Sequence, residues 1–199
     1  MNLPTQLKLS LSQSLPGTSA QNLMSPDGRN VYNFEHKFSA AVMIALYRVD
    51  EQWRFPLIKR AEDDYVHSGQ IGLPGGKMEP GETIIKAALR ETEEEIGIKS
   101  ELIEVLGVLT EIQIPVSSFL VYPVVGIINC QPEWILEQKE VAEVFTVSLD
   151  DICNPDNVKS EMRRFKRGTV EVPYFRLFGH KVWGATAMIL SEFRELLKI

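Results

Sequence analysis

The stretch GKMEPGETIIKAALRETEEEIGI, residues Gly76 to Ile98, carries the pattern from which the rest of the chain is best read. Its second part predicts a helix from about Glu82 to Ile96, closed by Gly97. On a 3.6-residue period Ile85, Ala88, Leu89, Thr92 and Ile96 share one face, which predicts packing against a sheet. Glu91, Glu94 and Glu95 fall on a different face at positions i, i+3 and i+4, where their carboxylates are neighbours. Like charges so placed repel by roughly a few tenths of a kcal/mol per pair on an exposed helix, and by more when half-buried. Acidic helix faces are ordinarily solvated surface. This one makes sense around a cation, because Mg²⁺ takes oxygen ligands from one or two carboxylates, water and substrate phosphates.

Working outward, Leu73–Pro74–Gly75–Gly76 is backbone punctuation before the helix, and Glu62 to Gly72 reads as a loop. Ser39–Val49 and Arg54–Lys59 are apolar runs separated by Asp50–Glu51–Gln52, which predicts a hairpin. Beyond the helix, Leu102–Thr110, Phe119–Ile128, Val141–Val147 and Val170–Leu177 read as strands, and an amphipathic helix from Trp183 to Leu197 ends the chain. Strands on both sides of one central helix, with a second helix last, indicate an α/β or α+β sandwich. Upstream, Leu3, Leu7, Leu11 and Leu15 form a helical stripe that Pro16–Gly17 stops. The polar stretch through Pro26–Asp27–Gly28 to Arg29 and Asn30 reads as a linker or extended arm. The organisation expected is an N-terminal helix and arm over residues 1–35 and one domain over 36–199.

The intervals of Gly76, Glu82, Arg90–Glu91, Glu94–Glu95, Gly97 and Ile98 resemble a complete Nudix box. That resemblance implies an α/β/α sandwich with a mixed sheet and a loop–helix–loop catalytic motif. It further implies that Glu91, Glu94 and Glu95 bind Mg²⁺ or Mn²⁺ with help from the Gly75 or Gly76 carbonyl, and that Arg90 and Glu82 hold the arrangement in place. The implied activity is metal-dependent hydrolysis of a diphosphate linkage. Metal neutralises developing charge and lowers the pKa of the attacking water. For the proton-accepting base Glu94 is first choice and Glu140, in the polar approach to the Val141–Val147 strand, is second.

The residues before the box resemble the coenzyme A pyrophosphatase branch of that family: Leu57–Ile58–Lys59–Arg60, His67–Ser68–Gly69–Gln70 and Leu73–Pro74–Gly75–Gly76. Downstream the likeness continues through Val105–Leu106–Gly107, Tyr122–Pro123, Glu140–Val141 and Trp183–Gly184, covering roughly residues 36 to 198. Ala61, Tyr65 and Leu73 depart from the branch, which favours serine, arginine and phenylalanine there. Coenzyme A or an acyl derivative is therefore the expected substrate, with Lys59, Arg60, Gly75 and Gly76 as substrate contacts. Lys59 and Arg60 are the nearest basic candidates for the 3′-phosphate of coenzyme A. His67 reads as a hydrogen-bonding loop residue and Trp183 as core packing. Alternative readings are a hydrolase of ADP-ribose, NADH or dinucleoside polyphosphates, and a non-catalytic Nudix-fold ligand-binding module. The intact box glutamates favour an enzyme.

Composition sets the outer limits. The 199 residues carry a formal net charge of −6 with no run of lysine or arginine, which argues against a nucleic-acid partner. Small anionic nucleotides stay compatible, because a bound cation reverses the sign of a site. Cys130 and Cys153, the only cysteines, show neither metal-ligand spacing nor a disulfide framework, and their apolar neighbours predict buried or half-buried free thiols. No segment approaches the roughly 20 apolar residues of a membrane span, and no secretory signal is visible. A soluble cytoplasmic protein without a membrane partner is expected, and a homodimer is compatible with this composition.

Overall fold

The computed structural model describes residues 2–26, 35–61, 69–165 and 168–198. In chain order the elements are helices α1 (Leu3–Leu11) and α2 (Gly17–Asn22), strands β1 (Phe38–Val49), β2 (Gln52–Arg60), β3 (Ile71–Gly72) and β4 (Gly75–Lys77), and helix α3 (Ile84–Ile96). Then follow β5 (Ile103–Val108), β6 (Ile112–Ile114), β7 (Phe119–Ile128), β8 (Val141–Ser148), helix α4 (Leu149–Cys153), β9 (Val158–Phe165), β10 (Gly168–Leu177), β11 (His180–Trp183) and helix α5 (Gly184–Leu197).

The apolar run of β1 is near-continuous because the strand is buried on both faces. Ala40, Ile44 and Leu46 point into one core, and Ala41, Met43, Ala45 and Tyr47 into another. The first core is closed by α5 through Met188, Ile189, Leu190 and Phe193, and by Leu7 and Met24 of the N-terminal segment. Ala87, Ala88 and Ile96 of α3 close the second. The result is an α/β/α sandwich. Its sheet is mixed: β1 runs parallel to β7 and antiparallel to β2 and β4. Asp50 and Glu51 turn the β1–β2 hairpin with φ of 46° and 67°, the left-handed pair that a tight two-residue connection requires. Past Tyr47 β2 leaves β1, and β4 takes its place opposite Ala40–Val42. That change of partner delivers the Gly75–Gly76 backbone to the middle of the sheet.

Several expectations need correction. The packing stripe of α3 is Ile84, Ala87, Ala88, Leu89, Glu91, Thr92, Glu95 and Ile96: Ala88, Leu89, Thr92 and Ile96 pack as the period predicts, but Ile85 stands 42% exposed and Glu91 and Glu95 turn inward. Small alanines let the helix lie close on β1, and the stripe then takes two glutamates inside. The N-terminal helix ends at Leu11, although Leu15 still packs on the same core as Leu3, Leu7 and Leu11, and part of the expected arm is α2. Glu192 of α5, fully buried, fastens α2 by accepting from the Gly17 N–H (3.2 Å) and Gln21 Nε2 (2.9 Å), while also accepting from the Thr110 N–H (3.2 Å). Both cysteines are exposed free thiols rather than buried ones: Cys130 follows the last residues of β7, and Cys153 sits at the end of the short α4. Strand β9 was not foreseen, since its alternating charges resemble an irregular segment; it is an outer strand of a separate three-stranded sheet, β11-β10-β9. Trp183 is half-buried instead of core, with the Arg163 guanidinium 4.1 Å over its ring; Val182 takes the core position. His67, Tyr65 and the Asp27–Gly28 turn lie outside the described residues. Among those described, no helix is long and apolar enough to cross a membrane.

Candidate active site

The site is assembled where the β4 loop meets the second half of α3. Thr83 starts this helix, its hydroxyl accepting from the Lys86 N–H (3.3 Å), and Gly97 ends it at φ 77° with its N–H on the Glu93 carbonyl (2.9 Å). The last carbonyls of a helix lack intrahelical donors. Here the segment after Trp134 supplies them: Ile135 N–H donates to Ile96 O (3.1 Å) and Glu137 N–H to Glu95 O (3.2 Å). A turn closed by Glu140 N–H on Glu137 O (2.9 Å) then sets Glu140 beside the helix, and its carbonyl accepts from Ala61 N–H (2.8 Å). Capping the helix and delivering Glu140 are thus one event.

Carboxylate oxygens of Glu91, Glu95 and Glu140 all lie within 4.8 Å of one another. Glu95 is fully buried; its Oε2 accepts from the Gly75 N–H (2.7 Å), while its Oε1 has no hydrogen-bond partner among the described residues. Gly75 has φ 145°, and a Cβ there would stand 2.3 Å from the Ala41 carbonyl oxygen, so only glycine brings this backbone so near. At Gly76 a Cβ would stand 2.3 Å from Glu91 Oε2. The missing side chain is the space that the Glu91 carboxylate fills.

Arg90 binds the loop to the helix. Its Nε and Nη2 donate to the two Glu82 oxygens at 3.0 Å each, and its Nη1 donates to Glu91 Oε1 (2.8 Å) and Glu94 Oε2 (2.9 Å). Nη2 also reaches the Lys77 carbonyl at 3.1 Å, and Glu82 in turn accepts from the Glu79 N–H (3.0 Å). This is the planar fork that a lysine cannot reproduce. The Arg90 bond holds the Glu82 carboxyl below the usual range. Burial pushes Glu91 upward against the pull of Arg90. Burial likewise pushes Glu95 up to about 7, with Arg60 and the Gly75 N–H pulling down and Glu91 and Glu140 pushing further up.

The structure therefore joins Glu91 and Glu95 to Glu140, and leaves Glu94 outside that cluster, its side chain 57% exposed and bonded to Arg90. Arg60 arrives as well: Ile58, two residues before it on β2, lies in the α3-side core, so the period of two puts Arg60 on that same face. Its Nη2 stands 3.7 Å from Glu95 Oε1 and its Nη1 3.5 Å from Gly75 O. Lys59 lies opposite Ile71 and Glu143, and Ile71 packs on the α5-side core, so the pleat places Lys59 on the other face of β2. Sequence reasoning missed the Arg60–Glu95 pair, because it joins a strand end to a helix residue 35 positions away, and only the packing of α3 on the sheet brings the two together.

The NUDIX domain family profile matches residues 37–168. The uncharacterized Nudix hydrolase NudL of Enterobacter is 37% identical, over 77% of this chain and 79% of that protein. Nudix hydrolase 3 of Caenorhabditis elegans is 28% identical over 92% of this chain and 80% of the relative. Among solved structures, the Nudix hydrolase RenU of M. smegmatis superposes with a TM-score of 0.58 at 17% identity, covering 83% of this chain and 88% of that one. With the profile spanning most of the chain and the box residues gathered as described, the chain belongs to the Nudix hydrolase family.

Proposed function

We propose that this protein hydrolyses the diphosphate linkage of a nucleoside diphosphate derivative, with coenzyme A or an acyl-coenzyme A as the substrate, using Mg²⁺ or Mn²⁺. The observation that carries the reading is the trio Glu91, Glu95 and Glu140, whose oxygens converge within 4.8 Å around a buried Glu95 oxygen with no hydrogen bond among the described residues. An anion in that position is costly unless something positive completes it. The donor set, all oxygen, suits a hard divalent cation. Glu91, Glu95 and Glu140 would hold it, assisted by the Gly75 carbonyl. Such an ion supplies charge neutralisation for the diphosphate and makes a water acidic enough to attack near neutral pH.

The chain's own residues do the rest. Arg90 and the Gly75 N–H fix the orientations of Glu91 and Glu95, so the ligands need no reorganisation. Glu94 is assigned the proton from the attacking water: it is exposed, it lies one turn from Glu91, and only its Oε2 is bonded among the described residues. Gly76, lacking a side chain, gives the Glu91 carboxylate its place against the loop. Arg60, standing at Glu95 and Gly75, would meet the diphosphate rather than a remote 3′-phosphate. Lys59, on the other face of β2, is left as the basic candidate away from the diphosphate.

The substrate assignment rests on the stretch Leu57–Gly76, whose spacing resembles the coenzyme A branch. It is tested by hydrolysis of coenzyme A, acyl-coenzyme A, NADH, ADP-ribose and diadenosine polyphosphates with Mg²⁺ and with Mn²⁺. The expected products are 4′-phosphopantetheine and adenosine 3′,5′-bisphosphate, or their acylated counterparts. Turnover of ADP-ribose or NADH with none of the coenzyme A compounds would overturn the substrate and leave the chemistry. Turnover of none would overturn both.

A further inference from the structure

Arg60 occupies a place that the cation reading assigns to a metal ion. Its guanidinium faces the same two acceptors, the Glu95 carboxylate and the Gly75 carbonyl, from 3.7 and 3.5 Å. Neither contact is a well-formed hydrogen bond, since good ones to a carboxylate run about 2.7–2.9 Å. Among the described residues Glu95 Oε1 is left without a hydrogen bond although it is buried and the arginine is near. The geometry is that of a neutralising charge held loosely, whereas Arg90 across the site makes short bonds to Glu82, Glu91 and Glu94. Arg60 also has somewhere to go: its side chain is 37% exposed, against none for Glu95.

We propose that Arg60 is a displaceable counter-cation: it neutralises Glu95 and the Gly75 carbonyl in the metal-free protein, yields them to the divalent ion, and swings to the open side where it meets the substrate diphosphate. This rests on the metal reading given above. A +1 group and a +2 ion repel at contact distance in a site poor in water. Metal affinity in the absence of substrate is therefore reduced by the fraction of molecules in which Arg60 is engaged. Once the diphosphate arrives, the displaced guanidinium finds a planar anionic partner that suits its fork. Metal and substrate would then bind cooperatively, and the free protein would resist loading with metal alone.

The test is Mn²⁺ binding to the full chain, followed by the electron paramagnetic resonance of free Mn²⁺, for wild type, Arg60→Gln and Arg60→Lys, without nucleotide and with imidodiphosphate. Without a diphosphate, Arg60→Gln is expected to bind Mn²⁺ about tenfold tighter than wild type. Arg60→Lys, which keeps the charge, is expected to stay within about threefold of wild type. With imidodiphosphate the order reverses, wild type gaining affinity and Arg60→Gln gaining little. A merely structural role for Arg60 cannot tighten metal binding when the residue is removed. Equal or weaker Mn²⁺ binding by Arg60→Gln, or equal tightening in both variants, overturns the counter-cation. Failure of wild type and Arg60→Gln alike to bind Mn²⁺ overturns the metal reading itself.

Discussion

Gly75 and Gly76 are neighbours in one loop, yet alanine at each should fail in a different way. At Gly76 the backbone is ordinary, and the added methyl meets Glu91: its Oε2, Cδ and Oε1 stand 2.3, 2.5 and 2.7 Å away. The carboxylate must retreat by about 1 Å to restore van der Waals contact. It cannot do so freely, because Arg90 Nη1 holds Oε1 at 2.8 Å and the side chain is only 12% exposed. Glu91 would leave the trio, and displacing a ligand's support typically weakens metal binding about 10- to 100-fold. At Gly75 the methyl instead meets backbone, the Ala41 oxygen at 2.3 Å and Val42 Cα at 2.5 Å, and φ of 145° is strained for any L side chain. Strain of about 1–3 kcal/mol and overpacking of about 1–3 kcal/mol should combine there. For a chain of this size that lowers Tm by roughly 5–20 °C. The assay is Mn²⁺ titration beside thermal unfolding in chelator. Gly76→Ala should lose metal affinity with a Tm within a few degrees of wild type, and Gly75→Ala should lose stability even without metal. Wild-type Mn²⁺ affinity in Gly76→Ala, or equal loss of Tm in both variants, would refute this division of labour.

Two further expectations follow from the charges. Glu94→Gln should reduce turnover by about 10²–10⁴ at saturating metal while circular dichroism stays unchanged, since volume is kept and a proton acceptor is lost; undiminished turnover removes Glu94 from the mechanism. Glu95 has a carboxyl raised to about 7 in the folded chain, against 4.5 as its ordinary value. The native state then holds a proton between those values that the unfolded chain has released, so stability falls as pH rises through that window. The limit is about 3 kcal/mol. Metal-free protein should melt higher at pH 5 than at pH 7.5 by more than Glu95→Gln does, and saturating Mn²⁺ should remove much of the difference at pH 7.5. Identical pH profiles for wild type and Glu95→Gln would show that Glu95 does not titrate there.

Much of the fold was legible because its main elements have strong periods or sharp ends. The doubly buried β1, the Asp50–Glu51 turn, α3 with its terminal glycine and the amphipathic α5 each carry a local signal that the packed structure agrees with. What escaped depends on contacts between distant residues. Strand β9, rich in exposed charge, is a strand only because β10 pairs with it from Val158 to Phe165. Helix α2 has six residues and holds through Glu192, 175 positions from Gly17. Ile85 is apolar and exposed, whereas Glu91 and Glu95 are acidic and buried, so the hydrophobic period of α3 pointed to a face slightly off the true one. A functional site is where such a conflict between pattern and burial is expected.

The same conflict explains why this helix carries so much structure around it. Two buried carboxylates on one helix are individually unfavourable, and a third from the Glu140 turn adds repulsion. The surroundings do not remove that charge; they hold it in register. Arg90 ties Glu91 to Glu82 and Glu94, the Gly75 N–H fixes one oxygen of Glu95, and the segment capping α3 fixes Glu140. Each of these contacts satisfies part of a carboxylate and leaves another part facing the same small volume. A core built for stability alone would not bury a carboxylate, yet the Glu95 side chain is 0% exposed. On the proposed metal reading, the stability forgone at Glu95 would be kept as affinity for the divalent ion, and through that ion for a diphosphate held against the helix.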